Sequence, residues 1–164
     1  MSHEPQAAAP CGASEYSPRE WRMILLAALA AAALCVLNGD RRGFWLDEYY
    51  TLHAARLAPG ALIADRIAVG HSPLYFFYAK WPQWIGHEEW ILRLSSSITI
   101  FALVIFVAAL AAELGLRRRL APLLAFCVAH PFWIMIGTMY RYMAPLTAAA
   151  AATAWTAARN RSAL

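Results

Sequence analysis

Phe44-Trp45-Leu46-Asp47-Glu48-Tyr49-Tyr50-Thr51-Leu52 sets two adjacent carboxylates among aromatic side chains, a few residues beyond an apolar segment. Charge at the edge of an apolar run marks the end of a membrane span and the start of a segment that lies along the surface. A helix over residues 47–57 puts Asp47 and Thr51 on one face at i,i+4, with Tyr49, His53 and Leu57 forming a neighbouring aromatic and apolar strip. Such a helix rests on the interface and does not cross it. Local sequence equally admits a purely structural role, with Asp47 as an N-cap and Glu48 as a first-turn charge against the helix dipole.

Working outward, the composition sets the class. Of 164 residues, 61% are hydrophobic and only 15% charged, too little charge to clothe a soluble core of this size. The chain reads as an all-α membrane protein: about four transmembrane helices, with short interfacial helices in a long first external loop. Its net charge of +4 is spread along the chain, which excludes nucleic acid as a partner. Cys11, Cys35 and Cys127 have neither metal nor redox spacing and read as packing residues.

Residues 1–20, with Pro5, Pro10, Gly12 and Pro18 and no apolar period, read as a disordered cytoplasmic tail. Glu4, Glu15 and Glu20 in place of a compact basic start argue against a cleaved signal. Residues 21–164 then form one transmembrane unit. Met23–Leu37, lengthened by Trp21 and Asn38-Gly39, is the first span, closed by Asp40-Arg41-Arg42-Gly43. Pro59-Gly60 ends the acidic helix, Ala61–Val69 makes a second short one stopped by Gly70, and Ser72-Pro73 opens an aromatic helix, Leu74–Ile85. Trp90–Leu114, Leu120–Ile136 and Met143–Ala158 supply the remaining spans.

Arg117-Arg118-Arg119 fixes the expected orientation, because short basic loops stay cytoplasmic. Both termini are then inside and residues 38–90 and 137–142 outside, although Arg41 and Arg42 weigh against it. Asp47, Glu48, Arg93 and Arg141 would collect at the outer face of a bacterial-type inner membrane. Each cation has a plain alternative: Arg93 as a snorkelling anchor, Arg141 as a headgroup contact, Lys80 as an anchor or cation–π partner. His71 is either a helix-start residue or a polar contact to substrate, and His130 reads as a satisfied core histidine.

Carboxylates beside cations suit a reaction in which a hydroxyl loses a proton while a phosphate leaves. Residues 44–51 resemble the acidic motif in the first external loop of GT-C membrane glycosyltransferases, in the branch of the protein O-mannosyltransferases and lipid A aminoarabinose transferases. His71-Ser72-Pro73-Leu74-Tyr75, Gly86 through Arg93-Leu94-Ser95-Ser96, His130-Pro131-Phe132 and Tyr140-Arg141-Tyr142 resemble further segments of that family, in order. The resemblance spans residues 21 to 158. It implies transfer of a sugar from a polyprenyl-phosphate donor to an acceptor hydroxyl, with inversion. Asp47 would be the base, Glu48 its support or a ligand for donor or metal, and Arg93 and Arg141 the phosphate partners, with Lys80 and His71 as weaker candidates. A divalent cation such as Mg or Mn, held by Asp47 and Glu48, fits that chemistry, as do membrane lipid and the lipid-linked donor as partners. Two features depart from the family. Met139 stands where many relatives carry an acid, and those enzymes have roughly ten or more membrane helices where this chain has four. The expectation is therefore an N-terminal part that needs a further C-terminal part or a homo-oligomer, with the Ala-rich faces 27–33 and 148–154 awaiting neighbours. The alternative is a non-enzymatic four-helix protein or truncated remnant acting through assembly with another chain.

Overall fold

The structure is a computed structural model that describes residues 16–39 and 43–162, and every regular element among them is helical. Helix α1, Pro18–Gly39, is started by a reciprocal cap. Glu20 accepts from the Ser17 amide at 2.8 Å, and Ser17 Oγ accepts from the Glu20 amide at 3.3 Å, satisfying two donors that have no partner within the helix. The tail expected over residues 1–20 thus gives way to structure by Tyr16, whose hydroxyl donates to the Ala108 carbonyl. The rest of that expectation, and Asp40-Arg41-Arg42, lie outside the described residues.

Ile24, Ala28, Ala31 and Cys35 recur on one face of α1 and are buried. They pack with Ile100, Leu103, Val104 and Ala108 of α5, Glu89–Glu113, and with Ala144 and Ala148 of α8, Met143–Ser162. Small residues let the helix backbones approach closely. Part of each Ala-rich face is therefore already covered within the chain. On the other side of α1, Leu26, Leu29 and Leu37 are 66%, 57% and 64% exposed. Apolar inside and apolar outside is the pattern of a helix whose surroundings resemble its core.

Among the described residues α1 and α5 are long and apolar enough to cross a membrane. Helix α6, Leu120–Ala129, with the 3₁₀ turn Arg117–Arg119 before it, and α7, Pro131–Gly137, pass the same test only together, bent by 53° at the break between them. The span expected over Leu120–Ile136 is bent at Pro131, which has no amide to continue the ladder and whose ring clashes with the carbonyl four residues before it. His130 is thus not core filler. It is the N-cap of α7, its Nδ1 accepting from the Phe132 amide at 3.2 Å. Helix α8 has 20 residues, about 30 Å, but its threonines and Arg159-Asn160-Arg161 leave it less apolar than α1 and α5.

Polar contacts fix the helix directions. Arg117 Nε meets Glu20 Oε1 at 2.7 Å, joining the end of α5 to the start of α1, while Arg93 donates to the Gly39 carbonyl at the opposite end. These two helices are antiparallel. Helix α8 runs beside α5 in the same direction: the loop before α8 is held near the start of α5, and Phe106 meets Trp155 farther along, ring centroids 5.9 Å apart. One end gathers Arg19, Arg22, Arg117, Arg118, Arg119, Arg159 and Arg161 against Glu20 and Glu113. At the other end the described acids Asp47, Glu48, Asp65, Glu88 and Glu89 balance Arg56, Arg66, Lys80, Arg93 and Arg141.

That balanced end carries the loop helices α2, Leu46–Arg56, α3, Pro59–Ala68, and α4, Leu74–Tyr78. Pro59 opens α3 at its first position, and Gly70, at φ +74°, turns the chain after it. The single helix expected over Leu74–Ile85 breaks after Tyr78. Pro82 cannot donate to a helical partner, and Trp81–Trp84 tightens into a 3₁₀ turn. Ala54, Leu62 and Phe76 bind the loop helices to one another, and Ala55, Ala79, Leu92 and Tyr140 bind them to the bundle.

Candidate functional site

Successive residues of a helix point 100° apart, so Asp47 and Glu48 at the start of α2 face different surroundings. Trp45, in extended conformation, is the N-cap, which displaces Asp47 from that expected role to the second helical position. Glu48, at the third, turns into the bundle. Its carboxylate accepts from the Trp45 amide at 3.0 Å, the Tyr140 amide at 2.7 Å and Arg93 Nε at 3.1 Å.

Arg93 is equally committed. Its guanidinium donates to the carbonyls of Gly39 and Gly43, the latter at 3.1 Å, lies 4.7 Å from the Phe44 ring centroid and stands 3.7 Å from Glu89. The side chains of Arg93 and Glu48 are 1% and 0% exposed. A phosphate could reach Arg93 only by displacing these partners and stranding Glu48. Glu48 and Arg93 thus face each other behind the wall, Glu48 where the sequence reading had it as support for Asp47 or as a ligand, and Arg93 where that reading had it as a phosphate partner or an anchor.

Asp47 does face outward. Its Oδ2 pairs with Arg141 Nη1 at 2.9 Å, with side chains 53% and 25% exposed. Both line a cavity of about 1290 Å³ bounded by α2, α3, α4 and the start of α8. Around the pair stand Tyr50, Thr51, His53, Asp65, Arg66, His71, Ser72 and Tyr75. Arg66 is tied to Asp65 and lies 4.7 Å from the Phe76 ring centroid. The rest of the lining is apolar, with Phe76 and Phe77 of α4, and Tyr142 just before α8 followed by Pro145, Leu146 and Ala149 on one stripe of α8. From Tyr142 to Ala149 the stripe descends about 10 Å.

The loop bearing Arg141 is held from several sides. Ser96 Oγ donates to the Met139 carbonyl and Ser97 Oγ to that of Gly137 at 3.2 Å. Tyr140 is fully buried, its ring stacked near Phe44 and its hydroxyl donating to the Ala79 carbonyl. Burial pushes the Tyr140 phenol up to about 12. Tyr75, on the cavity wall, is pushed well above the usual tyrosine range by desolvation, and its hydroxyl is buried without a hydrogen-bond partner.

Of the candidates named from sequence, the structure thus brings Asp47, Arg141 and His71 to one cavity. It places Glu48 and Arg93 behind the wall, and Lys80 off it, with Nζ donating to the Leu57 carbonyl. The sequence reading did not single out Tyr50, Asp65, Tyr75 and Tyr142 as site residues. Tyr50 was accessible to it, since Asp47, Tyr50 and Thr51 share a helix face at i,i+3,i+4. The two carboxylates named as holders of a divalent cation diverge, Glu48 turning to Tyr140 and Arg93 and Asp47 to Arg141 in the cavity. Among the described residues no group of three or more His, Cys, Asp or Glu side chains is arranged to hold a metal ion. No protein-family model, curated protein or solved structure matches the chain.

Proposed function

We propose that the chain is a membrane glycosyltransferase module of GT-C type, multi-pass in a bacterial-type inner membrane. Helices α1, α5, the bent pair α6–α7 and α8 would cross, with the arginine-rich end cytoplasmic and the cavity outside. One juxtaposition carries this reading. The Asp47–Arg141 pair, 2.9 Å apart, stands on the wall of a cavity whose lining passes from charged to apolar along α8. A ligand with a phosphate head and a hydrocarbon tail matches that gradient.

In the proposed reaction Asp47 takes the proton of an acceptor hydroxyl, whose oxygen forms a bond to the anomeric carbon of the sugar. The bond from that carbon to the phosphate oxygen breaks on the opposite face, giving inversion, and the electron pair leaves with the polyprenyl phosphate. Arg141 receives the phosphate with parallel N–H donors, exchanging its bond to Asp47 for one to the ligand. His71 offers a second polar contact from the start of α4.

The test is transfer from a panel of radiolabelled polyprenyl-phosphate sugars in membranes containing the chain. Binding of a lipid-linked donor, weakened by Arg141→Ala, is the expected outcome for the chain by itself, and sugar transfer with release of polyprenyl phosphate is expected once the chain is assembled with a further membrane part or a second copy. A folded chain that neither binds nor turns over any donor overturns the proposal. The non-enzymatic alternative draws on Leu46, Leu74 and Trp84 in the loop helices, which at 69%, 76% and 82% exposure offer an assembly surface.

A further inference from the structure

We infer that Glu48, its charge neutralised by Arg93, is a positioning residue that sets the register between Asp47 and Arg141 from behind the cavity wall. The two acids are neighbours on α2, and so are their partners on the loop before α8. Glu48 Oε1 accepts from the Tyr140 amide at 2.7 Å, and one residue along on both segments Asp47 Oδ2 meets Arg141 Nη1 at 2.9 Å. The inner rung is buried and the outer one lies open in the cavity.

An exposed ion pair on flexible side chains holds geometry weakly, whereas a buried carboxylate bonded to a backbone amide holds it firmly. The inner rung is also anchored to the rest of the fold. Arg93 sits in the first turns of α5, neutralises Glu48, and bonds the carbonyls of Gly39 and Gly43 at the approach to α2. Glu48 thereby gathers the approach to α2, α5 and the Arg141 loop at one carboxylate. Its charge is needed to satisfy Arg93, but the bond that sets the register requires only an acceptor oxygen at that place.

This separates positioning from bare stability. Glu48→Gln with Arg93→Met removes both buried charges and keeps a carbonyl oxygen for the Tyr140 amide. Glu48→Met with Arg93→Met removes the charges and the acceptor. The two double variants lose the same Arg93 bonds, and with the single Gln oxygen placed on the Tyr140 amide both also lose the bond from the Trp45 amide, so their difference isolates the rung.

Register is read by introducing Asp47→Cys and Arg141→Cys, with Cys11, Cys35 and Cys127 replaced by alanine, and timing their linkage by a short bis-maleimide. The outer ion pair is then absent, and the Ser96, Ser97 and Tyr140 hydroxyl contacts of the loop are common to both backgrounds. Linkage in the Gln/Met background should match that of the unaltered 48/93 pair. In the Met/Met background it should fall about tenfold, the scale of one buried hydrogen bond lost. Equal rates in the two backgrounds, both running as folded single species, overturn the inference.

If neither double variant folds, amide exchange in the native chain decides. The Tyr140 amide should exchange about a hundredfold more slowly than that of exposed Ser72, and equal rates would refute the rung. The functional weight of the rung rests on the transferase reading, where kcat should drop in Met/Met and return in Gln/Met at constant KM. A linkage difference in a chain without transfer supports the rung and counts against that reading alone.

Discussion

Glu48 with Arg93 and Asp47 with Arg141 are two acid–arginine pairs, their acids adjacent in sequence, in opposite settings. The first pair is 0% and 1% exposed at its side chains and the second 53% and 25%. Burial decides what each can do. A desolvated pair surrounded by amides and carbonyls is part of the fold, because removing either member strands the other. A pair lining an open cavity contributes little to folding and keeps its groups available to a ligand.

The comparison breaks most visibly at Arg93. Arg93→Met alone leaves Glu48 buried and uncompensated, and should cost about 3–5 kcal/mol, measured as thermal or denaturant unfolding in detergent. A loss under about 1 kcal/mol would remove the inner pair from the core of the fold. Next comes the loop that both pairs share. A Cβ at Gly137 would lie 2.6 Å from Ile100 Cγ1 and also collide with Cys35 Sγ, so Gly137→Ala should cost about 1–3 kcal/mol in the same measurement.

A third expectation concerns pH. Tyr140 is raised from 10.0 to about 12 in the folded chain, so its contribution is fully present below pH 10. Between those pH values the unfolded state releases a proton that the folded state retains, and stability falls as pH rises, by about 3 kcal/mol. Tyr140→Phe should flatten that slope, and an unchanged slope would place the titration elsewhere. Smallest of all is Asp47→Asn, expected to change stability by less than about 1 kcal/mol because the pair it breaks is half-exposed.

Much of this fold was legible. Apolar runs gave the long helices α1 and α5, and Gly70 bounded α3 at its end, while Pro59, expected with Gly60 to end the helix before, opens α3 two residues earlier than expected. The convergence of residues 47–48 with 93 and 140–141 followed from alternating the direction of successive helices. What sequence could not divide was the labour of Asp47 and Glu48. Their flanks, Trp45-Leu46 and Tyr49-Tyr50, are aromatic or apolar on both sides, so the helical pattern does not say which acid turns inward. The choice depends on Tyr140 and Arg93, remote in sequence. The kink at Pro131 and the break before Pro82 were written in the sequence as prolines. Their size was not, since a proline ends one helix without stating how the next one is aimed.

In the proposed transferase Asp47 does chemistry while Glu48 holds structure, a division that Asp47→Asn tests most directly. The asparagine keeps the size and a hydrogen-bonding oxygen but cannot take a proton. In membranes with a polyprenyl-phosphate sugar that the native chain accepts, the account predicts that this variant accumulates as folded protein, melts within a few degrees of the native chain, and transfers no sugar. Transfer at the native rate by a folded Asp47→Asn variant would contradict it.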